Sequence, residues 1–202
     1  MGEVMKKEIE VKIKLDLKQT EALHKWLSAN SQDLGTREIT DYYLNQPKNT
    51  FYVVSKKGFN DPLEFVRVRK TKNKNFVCYK KRMVDENGHT VQVEELDLEI
   101  SGAPDFLSFF KKLGFTQEVV IKKNRHTFLF DHKFEVVFDD VENLGKFVEI
   151  EIKNFDGTVE AGINEIYDFL RAIGIKEFIS FDRGYLCMML NPKYDFGKQV
   201  TI

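Results

Sequence analysis

Apolar and charged positions alternate along much of the chain. In Glu8-Ile9-Glu10-Val11-Lys12-Ile13 an extended backbone sends Glu8, Glu10 and Lys12 to one face and Ile9, Val11 and Ile13 to the other, because successive side chains of a strand point to opposite sides. Residues 3–15 are therefore predicted as the first strand. The same period recurs over residues 64–70, with Phe65, Arg67 and Arg69 opposite Val66 and Val68, and over 76–82, with Cys78 and Lys80 opposite Val77 and Tyr79. Residues 90–100 put Gln92 and Glu94 together, and residues 147–153 set Glu149 and Glu151 against Val148, Ile150 and Ile152. Further strands are predicted over 37–45 and 51–54, around Lys123 and Arg125, and from the Asp131-His132-Lys133 turn to Asp139. Asn87-Gly88 carries hairpin chemistry, and residues 143–146 read as a turn.

Helical spacing marks the remaining elements. Leu17, Leu23, Trp26 and Leu27 predict a helix after a possible cap at Asp16, ending near Gly35. Phe106, Leu107, Phe110 and Leu113 predict one over 101–114, stopped at Gly114. Ile163, Ile166, Tyr167 and Leu170 predict one over 159–173, and a last helix is expected over about 181–190. Residues 55–62 have loop composition and suggest a mobile lid. There are no internal repeats and no Pro- or Ser-rich linker. The expected fold is α+β: a closed or nearly closed eight-stranded antiparallel β-barrel with helices packed outside. Residues 1–192 form its single domain and residues 193–202 a polar, loose tail.

One charged strand face is ordinarily solvent. Here several strands repeat the pattern, and their opposite faces are apolar. Helices with apolar stripes need apolar surface to cover, so the apolar faces belong under the helices and the charged faces point into a polar tunnel. That inverts the usual small barrel, whose interior is filled by apolar side chains. Buried charges need partners. Grouped carboxylates suit Mg²⁺ or Mn²⁺, and grouped Lys and Arg suit a phosphate chain.

Composition narrows the partners. Of the 202 residues 42% are hydrophobic, which allows a sizeable core, and 31 basic against 32 acidic residues leave a net charge of -1. No global field points to nucleic acid or a membrane surface, and no apolar run approaches a membrane span. The expectation is a cytoplasmic protein, monomer or homodimer, with no nucleic-acid or membrane partner. Cys78 and Cys187 read as two reduced thiols. His24, His89, His126 and His132 read as ordinary surface or turn residues.

Glu8-x-Glu10-x-Lys12 resembles the ExExK signature of the CYTH superfamily, the triphosphate tunnel metalloenzymes. The resemblance extends over nearly the whole chain: Arg67-x-Arg69, Lys80 on the next strand, Glu94 on the one after, Lys123-x-Arg125, and Asp139-x-Val141 followed by Leu144-Gly145 and Phe147-x-Glu149-x-Glu151. The stretch 110–115, Phe-Lys-Lys-Leu-Gly-Phe, looks most like the class IV adenylate cyclase branch, with thiamine triphosphatase-like proteins also related. The resemblance implies a metal cluster of Glu8, Glu10, Asp139, Glu149 and Glu151. It implies triphosphate binding by Lys12, Arg67, Arg69, Lys80, Lys123, Arg125 and Arg183, with Glu94 a further tunnel acid. Glu10, Lys12 and Glu151 are the expected catalytic residues. Gln92 stands where an arginine is common, and Leu44 follows Tyr42-Tyr43 where an aspartate is common.

The implied function is a Mg²⁺- or Mn²⁺-dependent enzyme converting ATP to cyclic AMP and pyrophosphate. The alternative is hydrolysis of inorganic, thiamine or nucleoside triphosphates. A non-catalytic polyphosphate or nucleotide binder is a further alternative, opposed by the filled carboxylate positions.

Overall fold

The computed structural model describes residues 7–48, 50–84 and 90–202. They form, in order, β1 (Lys7–Lys14), α1 (Leu17–Asn30), β2 (Gln32–Asn45), β3 (Tyr52–Val54), β4 (Asn60–Pro62) and β5 (Glu64–Thr71). Next come β6 (Asn75–Val84), β7 (Thr90–Ile100), α2 (Ala103–Lys112), β8 (Thr116–Phe130), β9 (Phe134–Val141) and β10 (Gly145–Phe155). The chain closes with α3 (Val159–Ala172), β11 (Glu177–Phe181), α4 (Tyr185–Leu190) and β12 (Gly197–Thr201). The Asn87-Gly88 hairpin signal lies outside the described residues.

Antiparallel pairing dominates, as the alternating pattern requires. The hydrogen-bonded ladder has ten strands in the order β12-β11-β1-β10-β9-β8-β2-β5-β6-β7, and β3 and β4 pair separately. The α+β class holds, but the ladder is neither eight-stranded nor closed: its ends, β12 and β7, do not pair among the described residues. Part of the difference arises near the C-terminus. The helix expected over 181–190 is preceded by β11, which joins β1 with Lys12 opposite Phe181. Residues 197–201 of the polar tail form β12, with Phe178 opposite Val200.

The chain divides into two compact units. The described residues of the first are 7–36, Asn124–Asp182 and Phe196–Ile202. Its core joins Ile9, Val11 and Ile13 of β1, Val148, Ile150 and Ile152 of β10 and Val136 of β9 to Leu23 and Leu27 of α1 and Ile166 and Leu170 of α3. The apolar strand faces thus lie under the helices, as the pattern predicts. Asp16 caps α1 in a capping box with Gln19. The helix ends at Asn30, not near Gly35, because the Ser31 backbone N–H closes on Leu27 O and β2 begins one residue later. Helix α3 sits so close to β1 that a Cβ on Gly162 would stand 2.7 Å from Ile9 Cγ1.

The second unit comprises Arg37–Lys123 and Arg183–Asp195. Val66 and Val68 of β5 and Leu44 of β2 pack with Ala103 of α2, flanked by Val77, Tyr79, Leu107 and Phe110. Residues 55–62 are not an open lid. They contribute the turn and return strand of the β3–β4 hairpin, with Phe59 and Asp61 buried. Asn191, which ends α4, donates to Asn60 O at 2.8 Å and accepts from Asn60 N at 2.9 Å. Those two bonds replace the water that a loop backbone would otherwise need.

Candidate active site

The first unit gathers the charges of β1, β8, β9 and β10 into one chain of ion pairs. Lys12 stands opposite Glu149, and Glu10 opposite Glu151, in the β1–β10 register. Lys12 is buried, and its Nζ lies 2.7 Å from Glu149 Oε1 and 2.9 Å from Glu10 Oε1. Burial alone would lower the pKa of this ammonium, but Glu10 and Glu149 outweigh it and hold it above the usual lysine range. Arg125 grips Asp139 with a two-bond fork, Nε to Oδ1 at 2.7 Å and a terminal nitrogen to Oδ2 at 2.5 Å, and also donates to Glu149. Asp139 is almost completely buried. Such forks are the strong form of charge-assisted hydrogen bond.

Glu151 is different. Burial first, then the charges of Glu8, Glu135 and Glu10, push its carboxyl up to about 7, with only Lys153 opposing. Like charges crowded in partial burial disfavour ionisation of one member. Glu151 is therefore crowded by Glu8, Glu10 and Glu135, whereas Asp139 is engaged by Arg125, and Glu149 and Glu10 share Lys12. The donors are all carboxylate oxygens, which suits a hard divalent cation. Among the described residues, no three His, Cys, Asp or Glu side chains converge at coordinating positions.

In the second unit Asp41 is, with Asp61, a buried carboxylate. Arg69 reaches it with Nε at 2.7 Å and a terminal nitrogen at 2.8 Å, and Arg67 stands 3.9 Å away. Burial would raise the pKa of Asp41, but the Arg69 bond and the charges of Arg67, Arg69 and Lys123 hold it below the usual carboxylate range. Arg67 donates to Cys78 Sγ at 3.2 Å, while its Nε is buried with no hydrogen-bond partner among the described residues. Lys123 is buried, 5.0 Å from the centroid of the Tyr185 ring. Lys80 pairs with Glu95 at 3.0 Å. Glu94 stands opposite Lys81 instead, in the β6–β7 register. Arg183 lies 3.5 Å from Asp61 and 5.5 Å from the Phe59 ring centroid. Both cysteines are free and buried.

Sequence reasoning missed Asp41, Asp61, Tyr43 and Glu95. Asp41 and Tyr43 had a signal: they share the face of β2 opposite Leu44, and they stand across from Arg69 and Arg67. Glu95 had none, because an adjacent acid, Glu94, fits a period of two equally well once the strand's phase is unknown.

The sequence profile described as the CYTH domain matches residues 6–185, most of the chain. The chain belongs to the CYTH domain family. A Methanocaldococcus jannaschii protein named as a candidate adenylate cyclase, MJ0240, is 28% identical over 182 residues, covering 89% of this chain and 96% of that protein. The PH1012 protein of Pyrococcus horikoshii OT3 is 26% identical, with a TM-score of 0.63 over 84% of this CYTH chain and 92% of that one. A candidate adenylyl cyclase from Hippeastrum, HpAC1, whose structure is described as revealing a dominant triphosphatase activity, shares the fold at 16% identity and a TM-score of 0.66, covering 95% and 98% of the two chains. Among the described residues, no helix is long and apolar enough to cross a membrane.

Proposed function

We propose that this CYTH protein is a divalent-metal-dependent enzyme acting on a triphosphate, with ATP cyclisation to cyclic AMP and pyrophosphate as the leading reaction. The observation that carries the reading is the Arg67 guanidinium: two arginines share one buried carboxylate, and Arg67 Nε is buried without an acceptor among the described residues. A buried donor left unsatisfied costs about 1–3 kcal/mol. A phosphate oxygen supplies the missing acceptor, and a polyphosphate supplies the negative charge. The site residues fall into the roles that the family resemblance implies. Arg67, Arg69, Lys80, Lys123, Arg125, Lys12 and Arg183 would contact phosphate oxygens, with Asp41 fixing the two arginine forks. Glu8, Glu10 and Glu151 would hold Mg²⁺ or Mn²⁺ through oxygen donors, joined by Asp139 and Glu149 as substrate draws Arg125 and Lys12 away.

When bound, the cation would neutralise charge developing on the phosphates. The chain's own residues do the rest. The Glu151 carboxyl, pushed up to about 7 by burial and neighbouring acids, would ionise beside a bound cation; its uncoordinated oxygen would then orient the attacking hydroxyl, whose proton passes to solvent. Lys12, held cationic by Glu10 and Glu149, would stay paired to developing negative charge. In cyclisation the ribose 3′ oxygen bonds to the α-phosphorus and pyrophosphate leaves. In hydrolysis, a water oxygen bonds to the terminal phosphorus, the bridging P–O bond breaks, the remaining phosphate chain leaves and the water proton passes to solvent. The second reading, a triphosphatase, is supported by the activity described for the Hippeastrum protein and by Gln92 and Leu44 at the two departing positions.

Tripolyphosphate binding tests the carrying observation. Arg67→Ala should weaken calorimetric affinity about tenfold to a hundredfold, the value of one charge-assisted hydrogen bond at about 1.5–3 kcal/mol. Folding should persist, because Asp41 keeps the Arg69 fork. Equal affinities in the two proteins would overturn the assignment of Arg67.

A further inference from the structure

His24 of α1 and His126 of β8 were expected to be unrelated surface residues; the structure brings them together. Alternation along β8 sends Arg125 to the charged side and turns His126 towards α1. His24 Nε2 lies 3.3 Å from His126 Nδ1, and His126 Nε2 lies 2.8 Å from Asp33 Oδ1. Asp33 also accepts from the Gly35 N–H at 2.7 Å, and that bond, with His126, holds its carboxyl below the usual range. The His24 ring is set edge-on to Phe128 and Phe138, with centroids 5.3 Å apart in each case. Both imidazoles line a cavity of about 270 Å³ that Thr20, Asn124, Asp140 and Lys146 also border.

We propose that His24 and His126 form a two-imidazole site for a borderline divalent ion of the Zn²⁺ or Ni²⁺ type, separate from the Glu8, Glu10 and Glu151 carboxylates, in a cavity that Asp139 also borders. Zn–imidazole bonds of about 2.0–2.1 Å at a tetrahedral angle set the two nitrogens about 3.3 Å apart, the separation seen here; the smaller cis angle of Ni²⁺ brings them to about 3.0 Å, a small side-chain adjustment away. The tautomers agree. His126 donates its Nε2 proton to Asp33, which leaves the Nδ1 lone pair facing His24. Without metal, a single His24 proton bridges the two nitrogens; metal binding moves that proton to His24 Nδ1, beside Ser28 Oγ at 3.5 Å, so that both facing nitrogens present lone pairs. Asp33 then completes the carboxylate–histidine–metal arrangement that orients many ligating imidazoles. Imidazole nitrogens select different ions from the oxygen donors of the Glu8 group. Since no third protein ligand converges among the described residues, the cavity leaves room for solvent or a small ligand at the remaining positions. The site is therefore exchangeable rather than a closed structural centre.

Ni²⁺ titration of the full-length protein by calorimetry, with excess Mg²⁺ occupying the carboxylates, tests this. The wild type should bind one equivalent. His24→Gln and His126→Gln should each weaken binding more than tenfold, and Asp33→Asn about tenfold to a hundredfold. Triphosphate turnover should be unchanged in all three. An NMR readout avoids any folding defect of the variants: Zn²⁺ added to the wild type should shift the imidazole resonances of His24 and His126 and leave those of His132 in place. Absence of a stoichiometric site, equal affinity in the histidine variants, or unmoved His24 and His126 resonances would each overturn the proposal.

Discussion

Lys12 links the two strands on which the acidic residues lie. It holds Glu10 on its own strand and Glu149 on the neighbour, so its charge is fixed by the same pairing that aligns β1 with β10. Among the described residues Glu151 has only the charge of Lys153 against its neighbouring acids, and it is the residue with the clearest pH signature. Its folded pKa of about 7 exceeds the ordinary 4.5, so the folded state binds the proton more tightly than the unfolded chain. The resulting stability is fully present below pH 4.5, declines as pH rises towards 7 and is gone above it. Glu151→Gln should remove that decline. In thermal melts without metal, the variant should gain on the wild type between pH 5 and pH 8, while losing turnover; parallel pH profiles would contradict the crowding of Glu151. Mn²⁺ at pH 8 should restore the wild type's stability and not the variant's.

The sequence disclosed these residues unevenly. Glu10, Lys12, Arg67, Arg69 and Glu149 could be assigned to faces because each alternates with Val or Ile that must reach the core. Asp41 carried a weaker signal: its neighbours Thr40 and Tyr42 do not fix a phase, and only Leu44, three positions on, places it on the charged face. The acid beside Lys80 depended on the β6–β7 register, and that ladder shifts register between Met83 and Val84. The His24–His126 contact joins residues 102 positions apart, and periodicity carries no information about such pairs.

At the scale of elements, local signals worked where they were self-contained. Asp16 and Gln19 form their capping box, and Gly114 takes the positive φ expected of a helix stop. They failed where tertiary pairing decided. Residues 177–181 and 197–201 are short and partly polar, and become strands by extending the β1 edge. The tightest joint between elements is α3 on β1. Gly162→Ala adds a methyl 2.7 Å from Ile9 Cγ1. Helix propensity would favour the change by about 1 kcal/mol, but overpacking costs about 1–3 kcal/mol. The net expectation is destabilisation with a lower denaturation midpoint and an unchanged m-value; a stabilised variant would show that α3 can slide off the strand at no cost.

For the molecule as a whole, near-zero net charge conceals a strong internal ordering. Acids and bases are sorted onto strand faces, each unit keeps its own apolar core under its helices, and buried charge is tolerated because it is paired. Such a protein gains stability from whatever completes the sorting. Tripolyphosphate with Mg²⁺, each at about a hundred times its dissociation constant, should raise stability by about 2.7 kcal/mol or more, visible as a higher melting temperature. Either ligand alone should give less. A melting temperature indifferent to both would mean that the charged faces are simply solvated.

Turnover tests the central claim most directly. The products formed from ATP and from inorganic triphosphate should be separated by anion chromatography, side by side, with Mg²⁺ and then Mn²⁺. The account predicts metal-dependent conversion, with cyclic AMP and pyrophosphate from ATP as the leading outcome; orthophosphate mainly from inorganic triphosphate would select the triphosphatase reading. No product from either substrate with either metal would contradict triphosphate chemistry at this site.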